Sequence, residues 1–97
     1  MVMTSNIEFS RGALDTLYMQ TEKKQNSILL AIQKAAASIF TPMPYRRLQS
    51  LNGSGTYVLS VDSEIRIVLK NMGDKIRIVS ILGVEQIKSF NKSVQTN

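Results

Sequence analysis

Hydrophobic positions in this chain follow two periods, and the change from one to the other divides it in two. "NIEFS" alternates and reads as a short strand ending at Ser10, whose hydroxyl is suited to cap a following helix. Ala13, Leu14, Leu17 and Tyr18 then recur at helical spacing. After the polar interruption "TEKKQN", a second stripe runs through Ile28, Leu29, Ile32, Ala35, Ala36, Ile39 and Phe40. This pattern predicts two helices in a hairpin, or one long helix bent near Thr21–Asn26. "TPMP" ends the helical region, because proline cannot continue a helix and pushes the residue before it toward extended geometry.

Beyond the prolines the period falls to two. "YRRLQSL", "TYVLSV", "EIRIVLK" and "KIRIVSIL" read as strands, with Tyr57, Leu59 and Val61 on one side of the second. "NGSG", "DSE" and "NMGD" are the connections between them. "NGSG" lacks the glycine spacing and lysine of a phosphate-binding loop and precedes a strand rather than a helix, so it reads as a plain hairpin turn. The predicted architecture is a two-layer α+β domain over residues 1–97: a short strand (1–10), a helical hairpin (11–40), an antiparallel meander of about four strands (45–82) packed on the helices, and a C-terminal tail (83–97).

The tetrapeptide "IRIV" occurs twice, at Ile65 and Ile76, and parity decides its meaning. An even loop with Met72 and Gly73 at its tip pairs residue 70 with 75, 68 with 77 and 66 with 79. Ile65, Ile67, Leu69, Ile76, Ile78 and Ser80 then share one face. Arg66, Val68, Lys70, Lys75, Arg77 and Val79 share the other, with Lys70 opposite Lys75 and Arg66 diagonal to Arg77. An odd loop would bury Arg77 among isoleucines, which is costly without a partner. The two copies are therefore two arms of one hairpin. Their arginines lie on the face away from the helices, where no acid of these two strands opposes them.

Composition narrows the chemistry. The chain has no cysteine and no histidine, which excludes disulfides, Cys/His zinc sites and catalysis by Ser–His or Cys–His pairs. Twelve Lys/Arg against seven Asp/Glu give a net charge of +5, and eight of the basic residues lie from Tyr45 onward against four acids. That balance suits a polyanionic partner. No carboxylate cluster suggests a metal nuclease, and Asp62 and Glu64 sit beside a turn where solvation is the simpler role. The longest apolar run, "ILLAIQKAAASIF", contains Gln33 and Lys34 and is too short to span a bilayer; the start "MVMTSNIEF" lacks the pattern of a secretory signal. The expected location is cytoplasmic, with no membrane partner.

The order strand, helical hairpin, meander, with "GTYVLSVDSEIRIVLKNMGDKIRIVSIL" at its centre, resembles the RelE/ParE toxin superfamily of bacterial toxin–antitoxin systems. Leu51–Gly55, Tyr57–Val61, Glu64–Leu69 and Lys75–Leu82 occupy the places of that family's turn and strands. The resemblance implies a toxin with a cognate antitoxin as partner. In the RNA-cleaving branch it implies a metal-independent endoribonuclease that inhibits translation by cutting ribosome-associated mRNA, without any cofactor. Arg66 matches the family's arginine in the third strand of the meander and is the first catalytic candidate; Arg77 is the second. Arg46, Arg47, Lys70, Lys75 and Lys88 are candidate RNA-binding residues. The chain departs from the branch pattern at Val58 and Ser60, at "LGVEQ" after the last strand, and at Phe90, which lacks a hydroxyl. Those departures leave open a non-enzymatic, ParE-like inhibitor of gyrase, or a catalytically silent interaction domain. Without histidine, proton transfer at an RNA phosphate would fall to Glu64, Glu85, Tyr45 or Tyr57, of which Tyr57 reads first as packing.

Overall fold

The computed structural model describes residues 6–41, 44–51 and 53–83. The elements are β1 (Ile7–Phe9), α1 (Arg11–Tyr18), α2 (Glu22–Phe40), β2 (Leu48–Leu51), β3 (Thr56–Ser60), β4 (Ile65–Asn71) and β5 (Ile76–Gly83). They form one five-stranded sheet in the order β1-β5-β4-β3-β2, with the helices packed on one face. The meander β2–β5 is antiparallel as expected, but β1 joins its end parallel to β5, so the sheet is mixed. No helix among the described residues is long and apolar enough to cross a membrane.

Capping separates the two helices. Ser10 has extended backbone and its Oγ accepts from the Ala13 N–H at 3.1 Å. Thr21 does the same for Lys24 at 3.2 Å, with Glu22 in the first turn of α2 complementing the helix dipole. The break therefore falls at Met19–Thr21 and yields two helices rather than one bent helix.

Each helix buries a narrow stripe: Ala13 and Leu17 from α1, and Ile28, Ala31, Ile32, Ala35 and Ala36 from α2. They meet Leu59, Ile65, Ile67, Leu69, Ile76, Ile78 and Ile81 of the sheet. The alanines keep that side of α2 thin, so its backbone can lie close to the strands. The stripe is narrower than the sequence suggests. Leu29 and Phe40 lie on its flanks and Tyr18 points outward, 67% exposed.

The β4–β5 hairpin has the expected parity but a different register. Its tip is Gly73–Asp74 rather than Met72–Gly73. Gly73 adopts φ 99°, a conformation glycine tolerates at the first position of a two-residue turn, and Met72 N–H donates to Lys75 O at 2.8 Å. The Asn71 side chain accepts from Gly73 N–H at 2.9 Å and fixes this choice. Lys70 therefore pairs with Arg77 rather than Lys75, and Asn71 pairs with Ile76.

Farther along, a bulge shifts the ladder between Val68 and Leu69, so that Leu69 pairs with Ile78 but Val68 with Ser80. Val79 is the extra residue. The bulge moves Ser80 off the core face and puts Ile81 there, 4% exposed. Arg66 consequently pairs with Leu82, not Val79, and is not diagonal to Arg77. "YRRLQSL" contributes only Leu48–Leu51 as strand, with Arg46 and Arg47 in the preceding turn. Residues 84–97, and with them Glu85, Lys88 and Phe90, lie outside the described residues.

Candidate nucleic-acid interface

The sheet face away from the helices carries most of the candidate residues. Pairing across the strands resolves it into rows. One row runs Glu8, Arg77, Lys70, Thr56, Leu51; a middle row holds Ser80, Val68, Val58 and Gln49; a third holds Leu82, Arg66 and Ser60. Arg66 and Lys70 lie on the same side of β4 but about 13 Å apart, four residues at the strand rise of ~3.3 Å each. The single basic patch expected around Arg66 and Arg77 is thus two separate cationic ends with a small apolar centre between them.

The first end contains its own anion. Glu8, opposite Arg77 across the parallel ladder, accepts from Arg77 Nη1 at 2.7 Å, and Lys75 Nζ lies 3.5 Å from the same oxygen. The hydrogen bond from Arg77, helped by the charge of Lys75, holds the Glu8 carboxyl below its ordinary value. Lys70, exposed beside Arg77, makes no ion pair among the described residues. β4 and β5 carry no acid on this face; the acid comes from the neighbouring strand. The alternation Ile7–Glu8–Phe9 hinted at an outward carboxylate, but its partner lies 69 residues away.

At the other end, two arginines rest on backbone carbonyls of the β3–β4 connection, Arg66 on the open face and Arg47 at the sheet edge, where it lines a groove with Ser27, Leu30, Ala31 and Lys34 of α2. Arg66 Nη1 donates to Asp62 O at 2.6 Å, and Arg47 Nη1 donates to Val61 O at 3.1 Å. Arg46 is exposed in the turn before β2. The carboxylates of that connection turn instead to α2: Lys24 Nζ lies 2.6 Å from Glu64 and 3.2 Å from Asp62. These contacts, Glu64 first, hold the Lys24 amine above its ordinary value. Burial pushes the Asp62 carboxyl up, but N–H donation from Glu64 and Ile65 together with Lys24 outweighs it, and the net shift is downward. Asp62 and Glu64 are thus a clasp to the helical layer, a role the sequence did not disclose. Arg66 and Arg47 have no carboxylate counterion among the described residues.

This architecture has close counterparts in solved structures. A YoeB/ParE toxin from Agrobacterium tumefaciens superposes with a TM-score of 0.61 at 15% identity, covering 80% of this chain and 96% of that one. The chain of a YoeB dimer from Staphylococcus aureus gives 0.60 at 21% identity, covering 79% and 93%. A chain of the RelB-RelE antitoxin-toxin complex from Methanococcus jannaschii gives 0.62 at 16% identity, covering 86% and 96%. This is the RelE/ParE toxin fold. No protein-family model and no curated protein matches the sequence.

On this RelE/ParE scaffold the open face supplies charge more readily than proton transfer. Tyr45 and Tyr57 pack against the core on the helical side. Glu8 is the one carboxylate among the described residues of that face, and a carboxylate held low is a weak proton acceptor at neutral pH. No cluster of three or more His, Cys, Asp or Glu side chains placed to hold a metal ion occurs among the described residues. Arg66, whose guanidinium already donates to a carbonyl oxygen, is suited to hold a phosphate oxygen and stabilise charge developing on it.

Proposed function

We propose that this chain is the toxin of a toxin–antitoxin pair and inhibits translation by binding ribosome-associated mRNA through the open face of its sheet. In this reading Arg66 is the residue set against the scissile phosphate, and Arg46, Arg47 and Lys70 hold the flanking backbone. Arg77 and Lys75 extend the same surface, and Lys88, a further RNA-binding candidate, lies outside the described residues. The observation that carries it is the charge on Arg66 and Lys70, which have no counterion among the described residues, on the open face of a fold shared with YoeB/ParE, RelE and YafQ toxins. The RelE and YafQ structures are complexes with antitoxins, which supports a cognate antitoxin as this chain's partner. A cytoplasmic site of action follows from the target.

The test is expression in a bacterial host with mapping of mRNA ends. Growth arrest with cuts at the ribosomal A site, lost in Arg66→Ala while that variant stays folded, supports the reading. Equal cleavage by the variant removes Arg66 from the site.

A second reading is favoured by the lack of a well-poised proton donor or acceptor among the described residues of the open face: a non-enzymatic inhibitor that binds a protein such as gyrase. Arrest with intact mRNA and broken DNA selects it. Expression without arrest selects a silent interaction domain.

A further inference from the structure

The Glu8 cluster does something an ordinary surface ion pair need not do. Among the described residues β1 is an edge strand, so Glu8 has one neighbour across the sheet there, Arg77, and the next position in that row is Lys70. One carboxylate oxygen takes both Arg77 and Lys75, at 2.7 and 3.5 Å. All three side chains are about two-fifths exposed, so solvent ions and ligands can reach them. Exposed pairs of this kind contribute little to stability. Their effect on charge is larger in proportion: Lys70, Lys75 and Arg77 would present three cations, and Glu8 reduces them to a net two.

We propose that Glu8 is a built-in competitor for RNA at the β1 end of the open face. In the free protein its carboxylate occupies the position on Arg77 and Lys75 that a backbone phosphate oxygen takes when RNA binds. Binding at this end is an exchange of one anion for another, whereas binding at the Arg66 end displaces only backbone carbonyls. The inference rests on the RNA-binding reading above and adds a residue that limits affinity.

Glu8→Gln keeps the shape of the side chain and removes its charge. The full chain and its variants are titrated by fluorescence anisotropy against a labelled single-stranded oligoribonucleotide across a salt series. Asp15→Asn, the same charge change at an exposed position on α1, serves as control. Circular dichroism confirms folding. Glu8→Gln is expected to bind about two- to fivefold tighter than wild type at low salt. Its salt dependence should steepen by about 0.7 in log–log slope for each phosphate gained. Asp15→Asn should shift binding less, and Glu8→Gln/Arg77→Gln should lose the gain. Binding by Glu8→Gln that is unchanged, weaker, or no better than Asp15→Asn overturns the proposal. If wild type and variants all fail to bind RNA, the RNA reading falls, and elution from immobilised heparin decides the rest. Later elution of Glu8→Gln than of Asp15→Asn retains Glu8 as the mask of an anion site, and co-elution removes it.

Discussion

Ser10 joins three elements, and its removal should be felt beyond the helix it caps. Its N–H donates to Ile78 O at 2.9 Å and its carbonyl accepts from Leu14 at 3.0 Å; both survive substitution. Its Oγ accepts from Ala13 N–H at 3.1 Å and donates to Val79 O at 2.8 Å; both are lost in Ser10→Ala. Loss of a serine cap costs about 1 kcal/mol. The second bond is exposed, so water replaces it and its loss adds about 0.5–1 kcal/mol. Ser10→Ala should therefore lose about 1.5–2 kcal/mol in urea unfolding followed by circular dichroism, with the m-value unchanged. For a domain of this size that corresponds to a Tm lower by roughly 6–16 °C. Ser10→Thr keeps both bonds and should stay within about 0.5 kcal/mol of wild type. Ser10→Asp keeps the acceptor for Ala13 but has no donor for Val79, so it should fall between. Ser10→Ala as stable as wild type would refute the assignment of Ser10 as a junction, and Ser10→Asp equal to Ser10→Thr would remove the Val79 bond from it.

Three further outcomes follow from the packing and the charges. Ile67 is fully buried between Leu59 and Ile81 on neighbouring strands, so Ile67→Ala should cost about 2–5 kcal/mol in the same assay, while Val68→Ala on the open face should cost about 1 kcal/mol or less. The Glu8 and Asp62 carboxyls sit below their ordinary values of 4.5 and 3.8, so their contribution to stability is fully present above those values and is lost as pH falls through the lower folded ones. Acid unfolding should begin below about pH 5 and be flatter in Glu8→Gln/Asp62→Asn; an identical acid limb would contradict the shifts. Deleting Val79 leaves the pairs on both sides of the bulge in register and should give a folded protein with well-dispersed amide NMR resonances, whereas deleting Val68 turns part of β4 inside out and should not.

The layers and faces were legible in the sequence because they follow from burial alone. The helical stripe and the outward parity of Arg66 and Arg77 rest on keeping charge out of an isoleucine core, and the cap at Ser10 rests on the need of the first helical turn for a hydrogen-bond acceptor. Register was less legible. The tip at Gly73–Asp74 depends on one hydrogen bond from Met72 to Lys75 and on the Asn71 side chain. The bulge did leave a trace: core isoleucines at 76, 78 and 81 break the period of two, and an unbroken period would put the polar Ser80 on the core face. The pairing of Glu8 with Arg77 left no local trace, since it arises only when the first strand meets the last.

That long-range pairing ties the electrostatics of the open face to the junction at Ser10. β1 is three residues long, and its register on β5 decides which of them faces out. In the observed register Ile7 and Phe9 pack toward the core, and Glu8 meets Arg77. A slip by one residue would expose both apolar side chains and push a carboxylate toward the isoleucines, which burial forbids. The hydrogen bonds from Ser10 to Ile78 and Val79 hold the same register from the other side. The strand that completes the sheet is therefore also the strand that sets the charge at one end of the open face. The Arg66 end takes its geometry from the β3–β4 connection and is built independently of it. The two ends can consequently be altered separately: a change at Glu8 leaves the hydrogen bond from Arg66 to Asp62 in place, and a change at Arg66 leaves the pairing of Glu8 with Arg77 intact.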